Sequence, residues 1–419
     1  MDASFLVLVL NLQRIFDMSD TKVSLQPSYP FAFSVLVSLF FFWGFITCLN
    51  DILIPHLKSG FNLNYFEATL VQFSFFTAYL LVSLPAGKLI AKVGYKNGII
   101  IGLLISAVGC LLFILAAESA LYAFFLGALF VLAAGITTLQ VSANPYVNAL
   151  GSEASASSRL NLSQGFNSLG TTIAPAIGGG LILVGSASAS SELGTVKLPY
   201  FILAVLLLAA AIVFYKVKLP SINSDDKADK VSTILLLKRN PTLTFGCIGL
   251  FAYVGAEVAI GSLMINFFAL DNIKALAEKD AAHYVTFYWG GAMVGRFIGS
   301  ALMRIFNPAL LLGVNAVVAF FLLAFVVLLD GDIAFIAALL IGFFNSIMFP
   351  TIFSLSLRGI ENYRAQASGV LCLTIFGGAV IPLMQGAAAD ALGLQKSFVV
   401  PMFSYLIIAL FARYVLKRR

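Results

Sequence analysis

Charge is scarce in this sequence. Of 419 residues 11% are Asp, Glu, Lys or Arg while 60% are hydrophobic, and there are two histidines and four cysteines. A soluble domain cannot hide that much apolar surface in one core, so a water-soluble fold is excluded. Cys48, Cys110, Cys247 and Cys372 lie within apolar stretches without CxxC spacing. Such thiols behave as small hydrophobes, which argues against a disulfide framework or a thiolate metal site. His56 and His283 are isolated, and no nucleophile, base or ligand set gathers around either, so an enzyme is not expected and no resident cofactor is implied.

What is present is a succession of apolar runs of about 20 residues, the length that crosses a bilayer. The pattern predicts twelve spans, at 31–56, 66–87, 95–117, 119–145, 160–185, 199–217, 241–269, 282–304, 308–329, 333–357, 365–390 and 396–415. The chain therefore reads as an all-α membrane protein with the lipid bilayer as its main surroundings. Lys and Arg orient it, because short cytoplasmic loops carry their excess. The odd-numbered breaks hold only Lys58, Lys197, Lys274, Lys279 and Lys396; apart from Arg296, inside span 8, every other basic residue lies in an even-numbered break or a terminus. Both termini are expected to be cytoplasmic. The net charge of +6 follows from this asymmetry and calls for no nucleic-acid partner.

Residues 1–30 read as a cytoplasmic leader. Their apolar run FLVLVLNL is too short to span and lacks the basic start of a signal peptide. Residues 1–17 are expected to be dispensable, with Met18 a natural start. The longest internal polar stretch begins KVKLPSINSDDKADKVST, and it divides the chain into a six-span half at 31–217, a linker at 218–240 and a second half at 241–419. The halves echo each other: PAGKLIAKVGYK closes span 2 and GRFIGSALMRIF closes span 8, with Gly87-Lys88 matching Gly295-Arg296. Parallel repeats with binding near the midplane describe the major facilitator architecture.

Ionisable groups at membrane depth cost about 2.5–3.5 kcal/mol on insertion scales and mark substrate or ion pathways. Asp51 lies in span 1 and Glu257 in span 7, equivalent places in the two halves. Both are candidate cation-coupling groups, the alternative for Glu257 being a buried ion pair with Arg296 or a protonated packing acid. Arg296 itself, close to the cytoplasmic side, is expected to snorkel and to be structural. Around Asp51 stand Thr47 and Asn50. Span 4 carries Thr137, Gln140 and Asn144 on one stripe, and span 5 carries Gln164 with Asn167 or Ser168. Two amide stripes in neighbouring spans favour a polyol-binding cavity over helix glue. Asn345, Phe349, Gln385 and Trp289 complete the expected substrate-binding set, the aromatic faces being suited to a sugar ring. Sodium coupling would draw on Asp51, Thr47 and Gln140 as metal ligands, with Asn50 adding a further oxygen, because Na⁺ asks for a carboxylate plus neutral oxygens.

LNDILIPHL in span 1, ANPYV in span 4, RLNLSQGFNSLG in span 5, FPTIFSL in span 10 and GGAVIPLMQGAAAD in span 11 resemble the fucose:proton symporter family of the major facilitator superfamily, in particular its glucose/galactose branch. The resemblance covers the chain from about residue 31 onward. It implies the twelve-helix facilitator fold, sugar uptake coupled to a cation, and a bacterial inner membrane. It further implies that Asp51 matches the aspartate associated with proton coupling, and that Gln164 and Asn167 match sugar-contacting residues. Gln140 stands where fucose symporters carry a glutamate, a substitution that resembles the glucose/galactose branch. Ala91 stands where the facilitator signature between spans 2 and 3 has an acid. The expectation is a hexose:cation symporter, using H⁺ or Na⁺, working by alternating access as a monomer. Its rivals are fucose-type uptake, a proton-coupled exporter of drugs or metabolites on the same fold, and a non-transporting sensor.

Overall fold

The computed structural model describes residues 29–61, 65–119, 121–188, 197–220 and 231–418, the side chains of 49–61, 65–69, 175–188 and 278 excepted. Most of the expected leader and the centre of the linker, 221–230, lie outside the described residues. Within them all regular structure is helical. Spans 1 to 6 are Pro30–Phe61, Tyr65–Val93, Tyr95–Ser119, Tyr122–Ala149, Ala156–Ser188 and Lys197–Lys216. After a short helix at Thr233–Arg239, spans 7 to 9 are Pro241–Phe268, Glu278–Leu302 and Pro308–Leu328. Span 10 is split into Gly331–Asn345 and Met348–Ser356; span 11 runs from Arg364–Leu373 through a 3-10 turn to Gly377–Leu392; span 12 is Val399–Lys417.

Ten of these stretches are long and apolar enough to cross a membrane. Spans 5 and 8 are long but more polar: Asn161, Gln164, Asn167 and Ser168 interrupt the one, His283 and Arg296 the other. Polar residues at membrane depth face a bundle interior or a watery cavity rather than lipid, and these two helices run along one seam of the molecule. The lipid-facing residues elsewhere are apolar, as Phe321 at 56% and Leu410 at 49% exposure illustrate.

Two prolines occupy matching spans. Proline has no N–H, so it leaves the carbonyl four residues earlier without its helical donor. Pro145 in span 4 frees the carbonyl of Val141, which accepts a hydrogen bond from Ser368 Oγ of span 11 at 2.9 Å. Pro350 in span 10 frees that of Ser346, where the helix breaks, and the carbonyl accepts from Arg296 Nε at 3.1 Å. Each proline thus creates a docking point for a neighbouring helix.

In the first half span 1 packs on span 5, span 2 on span 4, and span 3 on spans 4 and 6; in the second, span 7 packs on spans 11 and 12, span 8 on span 10, and span 9 on spans 10 and 12. The two sets meet along two seams, span 2 against span 11 and span 5 against spans 8 and 10. At the first seam a Cβ on Gly87 would lie 3.1 Å from the Ala365 carbonyl oxygen and 3.2 Å from Gly369 Cα, so the backbones nearly touch.

The even-numbered breaks and the linker ends cluster at one end of the bundle, here the basic end. Lys96 Nζ donates to the Tyr215 and Val217 carbonyls at 3.0 and 2.8 Å, and Tyr146 Oη donates to Pro220 O at 2.8 Å. Arg159 Nη2 donates to Asn148 O and Ser152 O at 2.8 and 3.0 Å, a favourable place for a cation because span 4 presents its carbonyl end there.

Candidate functional site

The basic end is closed by short polar side chains that let helices approach. Ser158 Oγ of span 5 donates to Ser300 O of span 8 at 2.7 Å, and Ser300 Oγ donates back to Ser158 O at 2.8 Å. Ser157 Oγ reaches Ser354 Oγ at 3.1 Å, and Asn161 Nδ2 reaches Thr351 Oγ1 of span 10 at 3.1 Å. From this closure toward the opposite end the seams part, and cavities appear between the halves.

One cavity of about 400 Å³ is lined by Thr47, Cys48, Asn167, Ser168, Thr171, Thr172, Glu257, Ala282, Val285, Thr286, Trp289 and Arg296. A second, of about 410 Å³, shares Thr47 and Trp289 and extends past Gln72, Phe75, Phe76, Val258, Gly261 and Ser262. Both halves contribute walls. The volumes fall in the range of small-molecule sites, which runs from about 300 to 1,000 Å³.

The first-half wall is organised by span 1 lying on span 5. A Cβ on Gly44 would overlap the Asn167 carbonyl, so only glycine permits the contact. Asn167 Nδ2 donates to Phe40 O at 2.9 Å. Thr47 Oγ1 bonds to Trp43 O and Gly44 O at 3.1 and 3.0 Å. Thr171 and Thr172 Oγ1 both bond to Ser168 O at 2.8 Å. A hydroxyl has one hydrogen and two acceptor lone pairs, so three threonines with their hydrogens committed to carbonyls turn acceptor capacity toward the cavity.

On the opposite wall Glu257 Oε1 stands 3.7 Å from Arg296 Nη2. That separation is an ion pair rather than a close hydrogen bond, and the carboxylate stands in the cavity wall. Trp289, 44% exposed, presents its indole to both cavities. Arg296 does not snorkel to the basic end, contrary to expectation. Besides Glu257 and Ser346 O, its Nη1 reaches Gln164 O at 3.4 Å and Ser168 Oγ of span 5. The physical reason is twofold: Pro350 supplies a free carbonyl beside it, and Gly165 lets the Phe297 ring pack within about 3.1 Å of where a Cβ would be, drawing span 8 against span 5. Sequence reasoning undervalued Arg296; its isolation inside a span was the available signal.

The remaining expected residues are placed differently. Gln140 Nε2 donates to Tyr79 Oη of span 2 at 2.7 Å, and Asn345 Nδ2 donates to Tyr288 Oη of span 8 at 3.0 Å. The same tyrosine–amide tie thus joins corresponding helices of each half. Gln385 is fully buried, with Nε2 at 3.5 Å from Ser397 Oγ. Phe349 stacks on Phe353 with ring centroids 6.0 Å apart. Asn144 is buried, and among the described residues neither of its amide atoms has a partner. None of Gln140, Asn144, Gln164, Asn345, Phe349 and Gln385 lines either central cavity. Asn50 and Asp51 fall within the helix of span 1, but their side chains lie outside the described residues. Thr47 and Gln140, named together as sodium ligands, are not brought into one cavity, since Gln140 is turned to Tyr79. Among the described residues no group of three His, Cys, Asp or Glu is placed to hold a metal ion.

The arrangement of two helical halves around a central cavity is matched by comparison with known proteins. The model of the Major Facilitator Superfamily matches residues 31–381. The chain belongs to that superfamily. Among superfamily members it is 52% identical to a glucose/galactose transporter of Brucella abortus over 395 residues, 93% of this chain and 95% of the relative. It is 35% identical to the L-fucose-proton symporter of Escherichia coli, over 94% of this chain and 95% of the relative. The solved structure of FucP, a superfamily transporter in the outward conformation, superposes with a TM-score of 0.86 at 34% identity, covering 93% of this chain and 99% of that one. The resemblance read from LNDILIPHL, RLNLSQGFNSLG and FPTIFSL is therefore correct, and this facilitator is a multi-pass integral membrane protein.

Proposed function

We propose that this facilitator is a hexose:proton symporter of a bacterial inner membrane, with glucose or galactose as substrate, working by alternating access. The observation that carries the reading is the acceptor-rich cavity between the halves. Thr47, Thr171 and Thr172 offer lone pairs, Glu257 offers a carboxylate, Arg296 donates, and Trp289 supplies an aromatic face. A ligand suited to that wall is small and bears hydroxyl donors around an apolar ring, which is the chemistry of a sugar. The printed activities of the relatives, glucose/galactose transport and L-fucose-proton symport, agree with it.

The basic end is cytoplasmic in this reading, and both termini lie there. The closure by Ser158, Ser300, Ser157, Ser354, Asn161 and Thr351 then makes the arrangement outward-facing, in keeping with its likeness to FucP in the outward conformation. Proton coupling is favoured over sodium because Thr47 and Gln140 do not converge, and because the named symporter relative is proton-driven. Asp51 and Glu257 are the groups proposed to bind and release the proton, since burial and charge neighbours adjust a carboxylate to such a role. Asn167 and Trp289 are proposed to orient the sugar.

Counterflow of labelled glucose, galactose, fucose and mannose into proteoliposomes, under an imposed H⁺ or Na⁺ gradient, tests this. The expected result is glucose or galactose uptake driven by H⁺ alone. Failure of every sugar to move under either gradient ends the sugar reading. The proton-coupled exporter is less well supported, because such a carrier favours an apolar cavity, and this one is lined by threonines and an ion pair.

A further inference from the structure

Arg296 touches more separate helices than any role in binding requires. Its guanidinium, only 13% exposed, sits on span 8 and reaches span 7 through Glu257, span 10 through the Ser346 carbonyl, and span 5 through the Gln164 carbonyl and Ser168 Oγ. The first two partners belong to its own half, and they move with it if the halves rock as bodies. The span 5 partners belong to the other half. They lie on the cavity side of the reciprocal Ser158–Ser300 pair, on the same two helices.

We propose that Arg296 is a positioning residue for alternating access: with Glu257 and Ser346 anchoring it, its bond to Ser168 latches the two halves in the state closed at the basic end. Opening that end separates span 5 from span 8, so the Arg296–Ser168 contact must break in every transport cycle. The contacts with Glu257 and Ser346 need not break. Glu257 and the Ser346 carbonyl travel with the guanidinium, so it is not left without acceptors during the change, which matters because an unpaired buried cation is costly. A hydroxyl of a ligand in the cavity stands next to Ser168 and can replace it as the acceptor for Nη1. Ligand binding and release of the latch then draw on the same hydrogen-bond donor.

The inference rests on the alternating-access reading but not on which solute is carried, so its test uses no sugar. Two reporter cysteines are placed in the full-length protein with Cys48 replaced by alanine, the other native cysteines being buried. Ala156→Cys lies at the closed basic end, where Ala156 lines a small cavity between the halves with Ser354 and Arg364. Ala282→Cys lies in the wall of the central cavity, at the opposite end of span 8. A membrane-impermeant maleimide is added to inside-out and right-side-out vesicles in turn. Ser168→Ala removes the closer of the two cross-half acceptors, leaving the longer contact with the Gln164 carbonyl at 3.4 Å, without touching the carbonyl that Thr171 and Thr172 use.

The expected result is a shift of about tenfold in the ratio of Ala156→Cys to Ala282→Cys labelling, the factor carried by one hydrogen bond to a charged group. Arg296→Lys keeps the charge beside Glu257 but cannot fork to three helices, and it should shift the ratio in the same direction. An unchanged ratio in both variants overturns the latch. So does a parallel rise in labelling at both faces, which marks loosened packing rather than a change of state. A protein that passes this test yet moves no hexose in counterflow keeps the latch and loses the sugar reading.

Discussion

At Trp289 the indole is half exposed where two central cavities meet, whereas Tyr288 beside it is fully buried. An exposed ring at the meeting point of two cavities has no packing role that explains its size. Trp289→Ala should raise the KM for sugar counterflow about three- to tenfold, the equivalent of about 0.5–1.5 kcal/mol of aromatic contact, and Trp289→Phe should raise it less. An unchanged KM in both variants would take the ring out of the binding site. Asp51 is argued from its chemistry rather than its contacts. Asp51→Asn keeps the side-chain shape and removes the titratable proton, so it should abolish gradient-driven accumulation while sparing sugar exchange. Accumulation at the wild-type level would exclude it from coupling. The legibility of the site differed from residue to residue. Trp289, Glu257 and Asn167 could be picked out because a large ring, an acid or an amide within an apolar span is conspicuous. The same rule points to Gln385 and Phe349, which lie against Ser397 and Phe353 and outside both cavities, since the sequence does not tell which side of a helix faces the cavity.

At the scale of the helix, the two tyrosine–amide ties show how buried amides serve packing. Tyr79 with Gln140 and Tyr288 with Asn345 join spans 2 and 4 in one half and spans 8 and 10 in the other. Tyr79→Phe leaves Gln140 Nε2 buried without that acceptor, and Tyr288→Phe does the same to Asn345. Each should lower stability by about 1–3 kcal/mol, seen as a lower unfolding temperature in detergent, with the order of preference among sugars unchanged. An altered sugar preference would return these amides to the binding site. The prolines act at the same scale. ANPYV and FPTIFSL were visible as motifs, and a proline was certain to free a carbonyl. That the freed carbonyls of Val141 and Ser346 are claimed by Ser368 and Arg296 depends on neighbours more than 45 positions away in the chain.

For the molecule as a whole, the seam at the basic end decides which side the cavity faces. The Ser158 and Ser300 hydroxyl oxygens are 3.3 Å apart, so the paired substitution Ser158→Cys with Ser300→Cys should form a disulfide under mild oxidation. The cross-linked protein should lose counterflow entirely and recover it on reduction. Full activity with the cross-link in place would show that this seam does not open during transport.

The sequence by itself determined that the chain is a multi-pass membrane protein built of long apolar helices and that its basic residues gather in alternate breaks. Each of these follows from local composition, because burying a charge in lipid or exposing a leucine to water is unfavourable wherever it occurs. Only the tertiary structure decided which polar residues share a space. Gln140 bonds to Tyr79, Thr47 and Thr171 of different helices line one cavity, and Arg296 bridges the halves. Those outcomes depend on how closely helices approach at Gly44, Gly87 and Gly165, and on the rotation of each helix about its own axis, which contacts between distant parts of the chain determine.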